Sequence, residues 1–246
     1  MELKECYTHG VFRGPRCPEC GNVSKLLMED REIDSLGKVL AGMLRHFPER
    51  YGVRLDEHGW IGIQEIVNPI RIQRRHFEWL TPHHIEAMAK TDQKQRYQVN
   101  EHREIRARYG HTIPVNMDDL PTEGIPDKLY YQTTPEEKEF IMEAGISPSD
   151  KTWIHLSKTY RQAYISGLFH VDEPEVIEIN VPALVESGMP VYMATDEIFL
   201  VSLVPEEFIR LAEREDVTVT PEEQEEIERV KENRERRKNF SSYDNS

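Results

Sequence analysis

The sequence predicts an α+β protein of two lobes, preceded by a small cysteine-rich segment. All three cysteines of the 246-residue chain lie within its first 20 residues. A proline-rich stretch, residues 112–127, separates two regions that each alternate helical and strand-like patterns. Residues 1–110 hold 18 basic and 16 acidic side chains, whereas residues 111–246 hold 13 and 29. We therefore expect a cysteine-rich segment over 1–30, a first lobe over 31–115, a second lobe over 125–215, and a charged helix with a tail over 219–246.

The composition indicates a folded protein without membrane segments. Hydrophobic residues make up 38% of the chain, which is enough for buried cores. No apolar run approaches the roughly 20 residues that a membrane-spanning helix needs. The opening residues, MELKECYTHG, lack the apolar stretch of a secretory signal. Three cysteines cannot form a full disulfide framework, which favours a reducing compartment. We expect a cytoplasmic protein with no membrane partner.

Two ligand pairs near the N-terminus, Cys6-x-x-His9 and Cys17-x-x-Cys20, predict a zinc site. Three thiolates and one imidazole match the tetrahedral preference of zinc, and a closed set of four ligands leaves no position for a substrate. The predicted role is therefore structural: zinc folds a segment that is too short to form its own core. Three free thiols and a surface histidine are the alternative interpretation.

The first lobe combines helices with short strands. We expect a helix that Asp34 or Ser35 caps and Pro48 ends, strands at 53–55 and 59–63, a helix near 64–67, a helix that begins after the Thr81 cap and ends near Lys90, and a strand pair at 96–99 and 104–109. Helices followed by a small sheet are typical of a winged-helix lobe, a nucleic-acid-binding design. A generic small α+β module is the alternative.

The second lobe is predicted to be a compact α+β unit. The expected elements are a strand at 128–132, a helix that Thr134 caps and Gly145 ends, a strand at 153–156, a helix at 157–166, and strands at 176–181, 190–193 and 197–204. Residues 220–238 are almost all charged, which favours a solvated helix beginning at Thr220 and Pro221. Contact of this helix with RNA is the alternative.

Two short stretches of the first lobe carry candidate phosphate ligands. Arg45 and His46 lie at the predicted end of the first helix, and residues 106–112 contain two arginines, a histidine, a glycine and a threonine. The planar fork of an arginine offers two parallel hydrogen bonds to a phosphate. A histidine can add a hydrogen bond or a proton, and Gly110 allows close approach of the backbone. An Arg–His pair that caps a helix end is the structural alternative.

Four stretches, in this order, resemble the NAD-dependent RNA 2′-phosphotransferase family. They are LGKVLAGMLRHFPERYGVRLDEHGWIGIQEIV, QRYQVNEHREIRARYGHTIPV, LYYQTTPEEKEFIMEAGISPSDKTWIHLSKTYRQAYISG and VYMATDEIFLVSLVPEEF. The resemblance covers residues 34–210 and leaves the cysteine-rich segment and the charged tail outside it.

The resemblance implies a winged-helix RNA lobe followed by an ADP-ribosyltransferase-like lobe that holds NAD. It also implies a reaction in which an internal RNA 2′-phosphate attacks the nicotinamide-bearing ribose carbon of NAD and expels nicotinamide. The vicinal ribose hydroxyl then attacks the phosphorus of this ADP-ribosylated RNA phosphate. The products are RNA with a free 2′-hydroxyl and ADP-ribose 1″,2″-cyclic phosphate. The expected substrate is tRNA-like, and the enzyme is expected to be a monomer.

Matching the family motifs residue by residue assigns the site. By this resemblance, Arg45 and Arg106 clamp the 2′-phosphate, and His46 supplies a hydrogen bond and a proton. The residues that would face NAD are His111, Thr112, Thr133, His155 and Ser157.

The chain departs from the family pattern at two places. Tyr131-Gln132-Thr133 stands where many members have His-Gly-Thr, and Phe169 stands where the family uses a further arginine. Two alternatives therefore stay open. One is ADP-ribosyl transfer onto a terminal nucleic-acid phosphate or a protein, and the other is a non-catalytic zinc and winged-helix RNA-binding module.

Overall fold

The computed structural model describes residues 1–243, and the chain in it divides into two compact units. The first unit comprises Met1–Asp119 together with Ser149–Trp153, and the second comprises Leu120–Pro148 and the residues from Ile154 onward. Each unit combines helices with antiparallel sheet, which confirms the predicted mixture of α and β structure. The last three residues of the predicted tail, 244–246, lie outside the described residues.

The first unit contains two three-stranded sheets and three α-helices. The cysteine-rich segment forms the first sheet, in the order β2-β1-β3, from β1 (Leu3–Cys6), β2 (Gly10–Arg13) and β3 (Lys25–Met28). Next come α1 (Asp30–Ala41), β4 (Ile61–Gly62), α2 (Ile63–Gln73), α3 (Pro82–Lys90), β5 (Tyr97–Val99) and β6 (Glu104–Ala107), with the second sheet in the order β4-β6-β5. A single hydrophobic core joins these helices to the second sheet.

Helix α1 begins earlier than predicted. Its N-cap is Glu29, which forms a capping box with Glu32, so the prediction that Asp34 or Ser35 caps the helix is wrong. Met28 immediately precedes this cap as the last residue of β3, so the helix starts where the strand ends. A reciprocal cap directly after a strand outcompetes the later polar residues, which instead lie within the helix.

Helix α2 is longer than predicted, and the strands around it are shorter. Residues 53–55 form no strand, and only Ile61–Gly62 of the predicted 59–63 strand pairs with β6. The helix continues through Pro69 to Gln73. Its buried side chains recur with helical spacing, and their burial offsets the cost of about 3 kcal/mol that an interior proline imposes. These buried residues are Ile63, Ile66, Val67 and Ile70.

The second unit is built on a six-stranded antiparallel sheet in the order β10-β11-β8-β7-β9-β12. Its strands are β7 (Lys128–Thr133), β8 (Ile154–Ser157), β9 (Glu175–Asn180), β10 (Tyr192–Met193), β11 (Ile198–Val201) and β12 (Ile209–Leu211). Its helices are α4 (Pro135–Ala144), α5 (Tyr160–Leu168), α6 (Val181–Glu186) and α7 (Pro221–Tyr243).

Capping chemistry accounts for the helix ends of the second unit. Thr134 accepts a hydrogen bond from the Glu137 backbone N–H, and Gly145 follows α4, as predicted. Helix α5 begins later than the predicted Ser157, because Ser157 pairs with Tyr130 and Ile198 in the sheet and Thr159 forms the capping box. None of the helices in the described part of the chain is both long and apolar enough to span a membrane.

Candidate active site

A π-helical turn follows α1 and carries the first two candidate residues, Arg45 and His46. The turn spans Gly42–His46, and the Phe47 N–H donates to the Gly42 carbonyl oxygen, five residues earlier, at 2.7 Å. The regular helix therefore ends at Ala41 rather than at Pro48. Such turns occur frequently at functional sites, where the wider backbone path redirects side chains.

The Arg45 guanidinium is buried and has no anionic partner in the part of the chain that the structure describes. Its central carbon lies 5.0 Å from the ring centroid of Tyr109 and 5.9 Å from that of Tyr97. Among the described residues, none accepts a hydrogen bond from Arg45 Nε or Nη2, and both atoms are shielded from solvent. Burial lowers the pKa of Arg45 from its ordinary value. A buried cation with two unused donors is suited to binding an anion.

Gly110 lets the backbone pass close to Arg45. Its φ of +85° lies in the left-handed region, and a Cβ at this position would lie 3.1 Å from Arg45 Nη1. A side chain here would therefore have to displace the guanidinium. The sequence predicts close approach of the backbone at Gly110, and the group that the backbone approaches is the Arg45 guanidinium.

His46 connects the turn to the second candidate stretch. Its Nδ1 lies 3.1 Å from Thr112 Oγ1, and the Thr112 N–H donates to the Arg45 carbonyl oxygen at 2.9 Å. Burial, followed by the charge of Arg45, lowers the pKa of His46. The imidazole is therefore neutral at neutral pH and available for a hydrogen bond or a proton.

His111 is buried close enough to the candidate basic residues for their charges to lower its pKa. The residue is 2% exposed, and its Nε2 has no hydrogen-bond partner among the described residues. Burial, with added repulsion from Arg45, Arg106 and His46, lowers the pKa of His111 to about 3. The two distant stretches, 45–46 and 106–112, thus converge around a neutral imidazole.

Arg106 has a different environment from Arg45. The residue is 2% exposed, and its Nη1 donates to both carboxylate oxygens of Asp119, at 2.9 and 2.8 Å. Its Nε donates to Gln98 Oε1 at 3.0 Å, and its central carbon lies 4.4 Å from the ring centroid of Trp60. A phosphate that binds Arg106 through Nη1 would therefore have to replace the carboxylate of Asp119.

Arg106→Ala is expected to lower the free energy of unfolding by about 3 kcal/mol, because it removes a buried side chain that packs on the Trp60 ring. Urea unfolding measures this change. The control is Arg161→Ala, which breaks a more exposed ion pair with Glu223 and should cost at most about 1 kcal/mol. Equal losses in the two variants would contradict a special role for the buried Arg106 side chain.

Three residues around these arginines were missed by the sequence analysis. Tyr97 and Tyr109 flank Arg45, and Asp119 pairs with Arg106. Asp119 belongs to the stretch predicted to be a linker, although parts of this stretch are buried; the Val115 carbonyl oxygen accepts a hydrogen bond from Trp153 Nε1 at 3.0 Å. The adjacent acids at 118–119, in a chain segment with apolar residues, were the available signal.

The second unit holds the remaining candidates, Thr133, His155 and Ser157. His155 and Ser157 are half-buried on β8, two residues apart and therefore on one face of the sheet. Tyr130 lies opposite Ser157, so alternation along β7 puts Tyr130 on that face and Thr133 on the opposite one. The structure therefore groups His155 with Ser157 and separates Thr133, which is buried.

The cysteine-rich segment brings its four candidate ligands together. The ligand atoms of Cys6, His9, Cys17 and Cys20 all lie within 4.8 Å of one another. Cys6 Sγ lies 3.6 Å from His9 Nδ1 and 3.8 Å from Cys20 Sγ, and Cys17 Sγ lies 3.5 Å from His9 Nδ1. A tetrahedral ion with Zn–S bonds of about 2.3 Å needs ligand atoms about 3.8 Å apart. Backbone N–H groups of His9 and Thr8 lower the pKa of the Cys6 thiol to about 6, which favours the thiolate.

Comparison with known proteins identifies the family. Residues 30–203 match the family described as "RNA 2'-phosphotransferase, Tpt1 / KptA family". A Thermoplasma volcanium protein described as a "Probable RNA 2'-phosphotransferase" is 47% identical over 231 residues, covering 94% of this chain and 97% of that protein. A Thermoplasma acidophilum protein with the same description is 49% identical over 230 residues, covering 94% and 96%. A Methanosarcina barkeri protein, also so described, is 33% identical over 211 residues, covering 86% and 99%. The chain belongs to the Tpt1/KptA family of RNA 2′-phosphotransferases.

Proposed function

We propose that the protein transfers an internal RNA 2′-phosphate to NAD, releasing RNA with a 2′-hydroxyl, nicotinamide and ADP-ribose 1″,2″-cyclic phosphate. One observation carries the proposal: in a member of this family, the buried guanidinium of Arg45 has two unused donors and lies near the neutral imidazoles of His46 and His111. Cationic and neutral donors in this combination suit a phosphate that must be held and also remain reactive.

Arg45 is the primary phosphate ligand in this proposal. Its Nε and Nη2 provide the two parallel donors that match two phosphate oxygens. The tyrosine rings fix the plane of the guanidinium, so little conformational entropy is lost when the phosphate binds. Arg106 can offer its Nη1 to the phosphate only if the phosphate displaces Asp119.

In the first unit, the residues proposed to face NAD are His111 and Thr112. In the second unit, they are His155 and Ser157, whereas Thr133 lies on the opposite face of the sheet. NAD supplies the electrophilic ribose carbon and nicotinamide as the leaving group. The unpartnered Nε2 of His111 fits this role, because a neutral imidazole can donate or accept a hydrogen bond without attracting the RNA phosphate away from Arg45.

His46 is proposed to handle the proton of the second step. As the vicinal ribose hydroxyl bonds to phosphorus, it loses a proton, and the RNA 2′-oxygen leaves and gains one. The lowered pKa of His46 keeps the imidazole neutral and able to accept the first proton. Its hydrogen bond with Thr112 orients the ring for both transfers.

The two units are proposed to be a winged-helix RNA lobe and an ADP-ribosyltransferase-like NAD lobe. The order α1-β4-α2-α3-β5-β6, in which three helices precede a strand pair, supports the first assignment. The six-stranded antiparallel sheet with helices on its faces supports the second. The proposed substrate is a tRNA-like RNA.

The test uses RNA that carries one ³²P-labelled internal 2′-phosphate, incubated with the protein with and without NAD. We expect the label to move to a small cyclic ADP-ribose product only when NAD is present. Label that remains on the RNA as a stable ADP-ribosyl adduct would instead support an ADP-ribosyltransferase. Label that is unchanged by NAD would contradict the proposal and leave an RNA-binding module.

We also propose that Cys6, His9, Cys17 and Cys20 bind one structural zinc ion. The distances between their ligand atoms support this assignment. All four ligands come from the protein, so the ion would have no open coordination position and would take no part in the reaction.

The zinc assignment predicts one equivalent of zinc in protein purified without chelators. Metal content measured by atomic emission should fall by at least half in Cys17→Ser, because loss of one thiolate opens the tetrahedral set. Ser24→Ala, which alters a hydroxyl in the same segment that is not a ligand, is the control. Equal zinc in both variants, or none in the unaltered protein, would contradict the assignment.

A further inference from the structure

The cysteine-rich segment contributes to a basic cavity that also reaches Arg45. The cavity has a volume of about 440 Å³ and lies within the first unit. Five basic and two acidic side chains line it, in a protein whose net charge is −14. Acidic residues outnumber basic ones in the whole chain, whereas basic residues outnumber acidic ones in this cavity. The cavity is therefore expected to attract anions.

Arg13 is the contribution of the cysteine-rich segment to this cavity. It lies at the end of β2, and its Nε donates to Thr91 Oγ1 at 3.2 Å. Among the side chains that the structure describes, no carboxylate lies within ion-pair distance of its guanidinium. Burial lowers the pKa of Arg13, and the charge of Asp92 opposes this effect. Arg13 is thus a half-buried cation held by one neutral hydroxyl, with donors left for a ligand.

The neighbouring charges show where a ligand would fit. Asp92 is engaged by Arg96, which donates from Nη1 to its Oδ1 at 3.2 Å and from its backbone to Oδ2 at 2.7 Å. Lys38 lines the same cavity from the exposed side of α1. Asp92 is therefore already paired. Asp34, the other acidic residue that lines the cavity, forms no ion pair with Arg13 or Lys38 among the described residues.

Continuity with Arg45 points to the RNA backbone as the ligand. In an RNA with an internal 2′-phosphate, the neighbouring 3′-oxygen carries a phosphodiester. A protein that holds the 2′-phosphate at Arg45 must therefore accommodate a further anionic group beside it. The cavity offers cations adjacent to Arg45, and arginine and lysine are the usual ligands of backbone phosphates.

We propose that this cavity binds a backbone phosphate flanking the modified nucleotide, with Arg13 of the cysteine-rich segment and Lys38 as its ligands. The inference rests on the proposed function, because it assumes that Arg45 holds the 2′-phosphate. It assigns the cysteine-rich segment a role in binding the substrate, which the family match over residues 30–203 does not reach.

The test measures RNA binding without NAD, by fluorescence anisotropy, for Arg13→Gln and for Arg16→Gln. Arg16 is exposed, belongs to the same segment and does not line the cavity, so it is a matched control for charge. Two ligands are compared: an oligonucleotide with one internal 2′-phosphate, and a nucleoside 2′-monophosphate as a competitor that lacks flanking phosphodiesters. Zinc content and thermal unfolding verify that both variants are folded.

We expect Arg13→Gln to weaken oligonucleotide binding about tenfold and to reduce the slope of log affinity against log salt by about 0.7. Binding of the nucleoside 2′-monophosphate should stay within about twofold of the unaltered protein. Equal effects of Arg13→Gln and Arg16→Gln, or equal weakening of both ligands, would overturn the inference. Binding of NAD alone is measured for the same variants. A weakened affinity for NAD with unchanged RNA binding would also overturn the inference and assign the cavity to the dinucleotide.

This experiment separates the two proposals. Absence of NAD-dependent transfer by the unaltered protein refutes the proposed reaction but does not affect the binding comparison. Conversely, if transfer occurs and Arg13→Gln binds the oligonucleotide normally, the reaction stands and the assignment of the cavity fails.

Discussion

Arg45→Met is expected to reduce phosphate transfer at least about 100-fold while leaving the free energy of unfolding unchanged or higher. The loss of activity follows from removal of two donors aimed at the proposed phosphate. The stability follows from the absence of an anionic partner for Arg45, because methionine spares the protein a buried and uncompensated charge. Methionine also keeps contact with the rings of Tyr97 and Tyr109.

Steady-state transfer rates and urea unfolding, measured on the same preparation, test this separation of activity from stability. Arg50→Met is the control, since Arg50 is an exposed neighbour that stacks on Phe47 at 4.1 Å. Its rate should stay within about threefold of the unaltered protein. If Arg45→Met loses stability in proportion to activity, the guanidinium holds the fold together and the phosphate assignment fails.

Acidification is expected to destabilise the protein partly through His111. The pKa of this residue is about 3 in the folded protein and about 6.5 in an unfolded chain. Between these values the unfolded state binds a proton that the folded state excludes, so stability is complete above pH 6.5 and is lost as the pH falls toward 3. The slope is about 1.4 kcal/mol per pH unit, which gives a loss of about 3 kcal/mol by pH 4.

Urea unfolding at pH 7, 6, 5 and 4, at constant ionic strength, measures this loss. In His111→Gln the decrease between pH 7 and pH 4 should be smaller by about 3 kcal/mol, because glutamine does not titrate. His102→Gln, at an exposed position, should retain the full decrease. Parallel profiles for His111→Gln and the unaltered protein would show that the imidazole is not the group being protonated.

Elements with local chemical signals were predictable from the sequence. Thr81 before Pro82 begins α3, and Thr134 and Gly145 bound α4, because a cap needs only neighbouring residues to act. The start of α1 was mispredicted because several acidic and hydroxyl residues precede its apolar face, and the earlier capping box of Glu29 with Glu32 begins the helix. Strand β12 has no such local signal, because it is held in place by pairing with β9, which is distant along the chain.

The same distinction between local signals and long-range contacts applies to the candidate site. Arg45, His46 and His111 could be identified because they lie in short ordered motifs. Their environments could not be predicted: the lack of a carboxylate partner for Arg45 among the described residues and the pairing of Arg106 with Asp119 depend on contacts between stretches that are distant along the chain. The sequence predicts that two arginines belong to the site, whereas the structure pairs Arg106 with a carboxylate and gives Arg45 none among the described residues.

The wide turn at Gly42–His46 also limits how this region can evolve. Successive residues of an α-helix are separated by about 100° around its axis, so one inserted or deleted residue changes the angular phase of everything that follows. Deletion of one residue here would restore a regular helix and improve its local geometry. It would also rotate Arg45 and His46 away from Tyr109 and Thr112. A protein with this deletion would therefore have a more regular helix and a lower activity. We expect related sequences to lack deletions within this turn.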